Sequence, residues 1–151
     1  MIAVDTNVLV AAHRLDAARH QQALGWVRSL AEGLEPWAIP VFCLGESVRV
    51  VTHRRVFDPP STIAQAIDAV DALLESPSVR ILMPATGHWS LLRTSIAAGE
   101  ATGNLVFDAQ IAALCREHGV ERLLSEDRDF RRFPALTLVT LDVPPGGTAR
   151  G

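Results

Sequence analysis

Five short apolar runs alternate along this chain with longer segments patterned as helices, and that alternation limits the fold more than any other feature. Ile2–Val4, Trp37–Ile39, Val79–Met83, Arg122–Leu124 and Leu136–Leu141 read as strands, mostly apolar as in strands buried on both faces. Helical stripes separate them: Val8–His13, Ala17–Ala31 behind an Asp16 cap, Pro40 to about Arg54, Thr62–Leu74 behind Ser61, His88–Ala98, and Leu105–His118 closed by Gly119. Strands and helices in this order make an α/β domain with a mostly parallel sheet. Ligands of such sheets bind beyond the carboxyl ends of the strands, where strand order reverses. Asp5 follows the first strand and Asp127 a late one, so both are expected at that edge. The 151 residues suit one domain, read as 1–143, with PPGGTARG at 144–151 as a disordered tail.

Composition closes off several chemistries. Apolar residues make up 48% and charged residues 21%, an ordinary globular balance, and a net charge of −3 gives no overall attraction for nucleic acid. All 14 basic residues are arginine. Without lysine a Walker-type phosphate loop is excluded, and a receiver-type phosphoacceptor site is disfavoured. Cys43 and Cys115 lack metal-like spacing and read as small core residues, in keeping with a reducing cytoplasm. Asp5 interrupts the first apolar run with no basic leader before it, so no signal peptide is expected, and no run suits a membrane span. The five histidines are scattered and read as surface or helix-end residues; Trp26, Trp37 and Trp89 read as core, with base stacking as their alternative.

Four acids stand out against this background. Asp108 sits early in the apolar helix, among Leu105, Val106, Ile111, Ala112 and Leu114. The helix dipole offers a carboxylate there a few tenths to about 1 kcal/mol. Isolated burial costs more, so a cation or a water-filled site accounts for it better. Asp5 has an N-cap as its plain alternative, although Thr6 or Asn7 could cap equally well and leave it partly free. Glu46 is offset from the Val41, Leu44, Val48, Val51 stripe. It either joins a site or lies on a solvated face, where a Glu46–Arg49 pair is worth about 0.2–0.5 kcal/mol. Ser125, Glu126, Asp127 and Asp129 crowd three acids and a hydroxyl together; one of Asp127 and Asp129 is expected to cap a turn and the other to face the site. Two unit charges about 5 Å apart repel by about 3 kcal/mol at an effective dielectric of about 20. A hard divalent cation removes that penalty, and oxygen-only donors favour magnesium or manganese over zinc.

Four segments in order carry a resemblance: IAVDTNVLV at 2–10, PVFCLGESVRV around Glu46, GNLVFDAQIAALCREHGV at 103–120 and LLSEDRDFRRFPAL at 123–136. Together they resemble the PIN-domain ribonucleases, and within them the VapC-type toxins of bacterial toxin–antitoxin pairs. The resemblance implies a three-layer α/β/α sandwich around a Rossmann-like sheet, and a magnesium- or manganese-dependent endoribonuclease. It maps the catalytic and metal-holding set onto Asp5, Glu46, Asp108 and Asp127, with Asn7 and Ser125 in support. Asp129 matches an acid more commonly tied to shaping the turn. Phe107 departs from relatives, which often have His or another residue there.

The resemblance further implies hydrolysis of RNA phosphodiesters to 5′-phosphate and 3′-hydroxyl ends, with Glu46 a ligand or the group that orients the attacking water. Arginines around the acidic pocket would grip phosphates: Arg14, Arg49, Arg54, Arg55 and Arg128, with Arg131 and Arg132 beside them. Each has ordinary solvation as its alternative. The resemblance also implies a cognate antitoxin and a homodimer; the apolar stripes of Ala17–Leu30 and Ile63–Leu74 are the surface expected to serve them. The main rival is a catalytically silent PIN fold that binds RNA or protein, against which the intact acids argue. A haloacid-dehalogenase-type site is opposed by Asn7, which replaces its second acid, and by the missing lysine.

Overall fold

A computed structural model describes residues 1–146; the tail expected at 144–151 lies outside the described residues from 147 onward. Among the described residues, β1 (Ile2–Val4), β2 (Trp37–Pro40), β3 (Val79–Leu82), β4 (Arg122–Leu124) and β5 (Thr137–Val139) form one sheet in the order β3-β2-β1-β4-β5. Every pairing is parallel, with Ala3 opposite both Ala38 and Leu123. Parallel neighbours need crossovers, and six helices supply them: α1 (Thr6–His13), α2 (His20–Glu32), α3 (Val41–Val51), α4 (Ile63–Leu74), α5 (His88–Gly99) and α6 (Leu105–Glu117). Right-handed crossovers send α1–α4 to one face as the chain steps from β1 to β3, and α5 and α6 to the other as it returns to β4. The packing agrees: α1 lies against α2 and α3, and α5 against α6. The result is the three-layer α/β/α sandwich.

The sheet is apolar because helices cover both faces. β1 and β2 are buried at every residue, and Trp37, Ile39, Leu114, Leu123 and Leu124 are among the largest fully buried side chains. Cys43 and Cys115 are free thiols inside this core. Among the described residues no helix is long and apolar enough to cross a membrane.

Local capping and burial depart from expectation at four places. α2 starts at His20, not Ala17, because Asp16 turns outward to hold Arg14 at 2.7 Å. Thr62, not Ser61, caps α4 in a reciprocal box with Gln65, while Ser61 bonds to His13 and Arg14. Asn104 makes no side-chain cap to α6. Trp89 is 65% exposed, not core, whereas Trp26 and Trp37 are buried. Gly119 ends α6 with φ +66°, the left-handed conformation that a residue without Cβ enters without strain.

Candidate functional site

Strand order reverses between β1 and β4, so their carboxyl ends open into one crevice. Asp5 leaves β1 there, its N–H donating to the Leu124 carbonyl at 3.0 Å. It is the N-cap of α1, and Oδ1 accepts from the Thr6 N–H at 2.8 Å. Asp5 is therefore less free than expected. Thr6 and Asn7 do not replace it as caps, because their side chains serve the acids instead. Thr6 Oγ1 donates to Glu46 Oε2 at 3.1 Å. Asn7 Nδ2 donates to Asp5 Oδ2 at 2.8 Å and to Ser125 Oγ at 2.9 Å.

Ser125 is fully buried and joins the two strand ends. Its hydroxyl donates to Asp5 Oδ2 at 2.7 Å and accepts from the Asp127 N–H at 3.0 Å. Oδ2 of Asp5 thus has both lone pairs in use, while Oδ1 accepts from the Thr6 N–H and, weakly, from the Cys43 thiol. The Asn7 carbonyl oxygen accepts from the Glu126 N–H at 3.2 Å, which locks the β4 turn onto α1.

Asp127 caps the 3-10 helix Arg128–Arg132 by accepting from the Asp129 N–H at 2.9 Å. The expected division of labour therefore fails: Asp127 caps the turn and also faces the site. One carboxylate oxygen from each of Asp108, Asp127 and Asp129 lies within 4.8 Å of the other two. Asp129, which the resemblance ties to shaping the turn while the residue pattern leaves it or Asp127 as the site acid, is part of this group, because the short 3-10 helix after β4 brings both acids to α6. Asp5 and Glu46 stand apart from the triplet but line the same cavity, of about 1190 Å³.

Burial and mutual repulsion show in the carboxyl groups. The Asp5 pKa is pushed up to about 6, chiefly by burial, although its bonds to Ser125 and Thr6 pull it down; Glu46 and Asp127 push it further up. Asp108 is pushed up to about 7 by burial first, then by the charges of Asp127, Asp5, Asp129 and Glu46. The buried Cys43 thiol, with Sγ 3.8 Å from Asp5 Oδ1, is pushed well above its usual range by burial and that charge, so it stays neutral. A divalent cation would offset the repulsion that this all-oxygen donor set carries without one.

The arginines divide. Arg49, Arg54, Arg55, Arg128, Arg131 and Arg132 are exposed, with Arg49 3.5 Å from Glu46. Arg14 is not free: it forks onto Asp16, bonds Ser61 Oγ and the Pro59 carbonyl, and lies 4.4 Å from the centre of the Phe57 ring. It fastens the loop after α3 instead of reaching outward. A separate apolar cleft of about 290 Å³ opens between the helices of the α1–α4 face, with Leu24, Val27, Ala66, Val70 and Leu73 in its walls. It draws on both stripes expected to provide partner surface.

The PIN domain family model matches residues 2–136, which includes all five acids. The chain belongs to the PIN-domain family. Within the family it is similar to VapC ribonuclease Mb2897 of Mycobacterium bovis, 42% identical over 136 residues that cover 90% of this chain and 92% of the relative. Ribonuclease VapC25 of Mycobacterium tuberculosis is 35% identical over 136 residues, 90% of this chain and 95% of that protein. Among solved structures, the sarcin-ricin loop cleaving toxin VapC20 of M. tuberculosis shares the fold at a TM-score of 0.63 and 24% identity, over 87% of this chain and 93% of that one. VapBC2 of Rickettsia felis, bound to a promoter DNA fragment, matches at a TM-score of 0.63 and 21% identity, over 93% of this chain and 98% of the other.

Of the residues this geometry brings together, sequence reasoning missed Thr6 and left Asp129 undecided. Thr6, which orients Glu46, carries no signal beyond its place in the DTN run. Asp129 had a signal, its two-residue spacing from Asp127, but spacing does not say which way each side chain turns in a 3-10 helix.

Proposed function

We propose that this chain is a magnesium- or manganese-dependent endoribonuclease of the VapC type, with residues 1–143 as its nuclease domain and a cognate antitoxin protein as its inhibitor. The observation that carries the reading is the Asp108–Asp127–Asp129 carboxylate group, set in one cavity with Asp5 and Glu46. Oxygen donors alone suit a hard divalent cation. Asp108, Asp127 and Asp129 would hold the ion, with Asp5 Oδ1 and Glu46 as neighbouring donors. When bound, the ion supplies Lewis acidity at the phosphate and makes water more acidic at neutral pH.

The remaining roles fall to the chain itself. Asn7 and Ser125 fix the Asp5 carboxylate in one orientation. Thr6 holds one oxygen of Glu46 and leaves the other beside an exposed arginine, where it can accept a proton from the attacking water. Attack in line with the departing ribose 3′-oxygen leaves a 5′-phosphate and a 3′-hydroxyl. Arg49, Arg54, Arg55 and Arg128 would neutralise flanking phosphates around an otherwise acidic cavity. The antitoxin would cover this cavity and draw on the apolar cleft between α2 and α4. A homodimer and a cytoplasmic setting complete the proposal.

The test incubates purified, partner-free protein with a structured RNA pool, with and without magnesium or manganese, beside Asp5→Asn and Asp108→Asn. Metal-dependent cuts bearing 5′-phosphates, abolished in both variants, are expected. Normal metal binding without cleavage would assign the chain to the silent, binding-only class.

A further inference from the structure

The chain has five phenylalanines and no tyrosine. Phe130 and Phe133 are buried against each other, and the Phe57 ring is covered by Arg14. The remaining two, Phe42 at 38% and Phe107 at 62% exposed, both line the acidic cavity. Neither belongs to the hydrophobic core, and each leaves an aromatic face in water on the wall of the cavity that holds the acids.

Each sits on the same helix as one of the acids. Phe107 immediately precedes Asp108 on α6. Phe42 precedes Glu46 by four residues on α3, which puts both on one helix face. Gly45 lies on the same cavity between them, and a Cβ there would meet nothing within 4 Å, so the wall beside Phe42 is open. A cavity of about 1190 Å³ exceeds what a single small ligand needs, roughly 300–1,000 Å³.

We infer that Phe42 and Phe107 stack on the unpaired bases flanking the phosphate held at the acidic centre. The inference rests on the ribonuclease reading and adds its specificity-determining residues. Every base has a π-face, so stacking tolerates sequence while demanding that the base be unpaired. A duplex keeps its bases paired and stacked on one another, out of reach of either ring.

The test uses a short single-stranded oligoribonucleotide carrying 2-aminopurine, the same strand in a duplex, and calcium in place of magnesium to hold the RNA uncut. Wild type is compared with Phe42→Ala and with Phe107→Ala, Phe107→Leu and Phe107→Trp, each checked for an unchanged urea midpoint. Single-strand affinity should fall about 5- to 150-fold in either alanine variant, with loss of 2-aminopurine quenching. Phe107→Trp should keep both signals, Phe107→Leu should lose both, and duplex affinity should not change. Leucine serving as well as phenylalanine, or a duplex binding as tightly as the single strand, overturns the inference. So does a wild type that cuts RNA with metal while both alanine variants keep its kcat/KM, which leaves the nuclease reading standing. RNA binding unaffected by variants that lose a protein partner would assign the rings to protein docking and overturn it too. A protein that quenches the probe but never cuts RNA refutes the nuclease reading alone.

Discussion

Replacing Asp5 by Asn should change how stability depends on pH, in a direction unusual for an aspartate. Asp5 is 5% exposed, and its pKa stands at about 6 against an ordinary value of 3.8. The folded chain therefore keeps a proton that the unfolded chain releases, and metal-free stability falls as pH rises from about 4 to about 7. A rise of that size corresponds to a penalty of about 3 kcal/mol once the group is ionised in both states. Roughly half has accumulated by pH 5, so about 1.4 kcal/mol should be lost between pH 5 and pH 8. His13, whose pKa is lowered by burial and by Arg14, acts with the opposite sign, but it is present in wild type and variant alike and cancels in their difference. The assay is urea unfolding of chelator-treated protein at pH 5, 6, 7 and 8. Wild type should lose about 1.4 kcal/mol relative to Asp5→Asn across that range, and more if removing the Asp5 charge also relieves Asp108. Saturating magnesium should reverse the trend, because a bound cation favours the ionised carboxylates. Parallel pH profiles for the two metal-free proteins would refute the idea that Asp5 is held by burial at the cost of its charge.

Three further substitutions probe the frame of the site. Ser125→Ala removes a fully buried hydroxyl that Asp5, Asn7 and Asp127 share; it should cost about 1–3 kcal/mol in urea unfolding and slow metal-dependent cleavage. Gly99→Ala should destabilise by about 1–3 kcal/mol, because a Cβ there would overlap the buried Phe133 ring, and its urea midpoint should drop. Gly45→Ala should instead raise RNA-free stability by about 0.5–1 kcal/mol, since the helix gains a residue of better propensity and the methyl meets nothing.

The alternation of apolar runs and helical stripes determined the architecture by itself. Runs too short for helices and apolar on both faces have one stable arrangement, a parallel sheet between helical layers, and β1, β2, β3 and β4 lie within a residue of where the pattern puts them. The pattern also singled out Asp108, since a carboxylate in so apolar a helix demands an explanation on desolvation grounds alone. Capping was less legible. Asp16 and Ser61 have the right chemistry for N-caps, yet tertiary partners, Arg14 for one and His13 with Arg14 for the other, draw them away from the local backbone.

Only the tertiary structure decided how the acids share their work. Asp5 and Asn7 meet Ser125 because strand order reverses between β1 and β4, which brings together residues 120 apart in sequence. Asp127 and Asp129 both turn toward Asp108 because the segment after β4 winds as a 3-10 helix capped by Asp127, with about three residues per turn where an α-helical turn has about 3.6. A carboxylate's type and spacing are written in the chain, but its pKa and its role come from the charges and donors that long-range packing brings within a few ångströms of it.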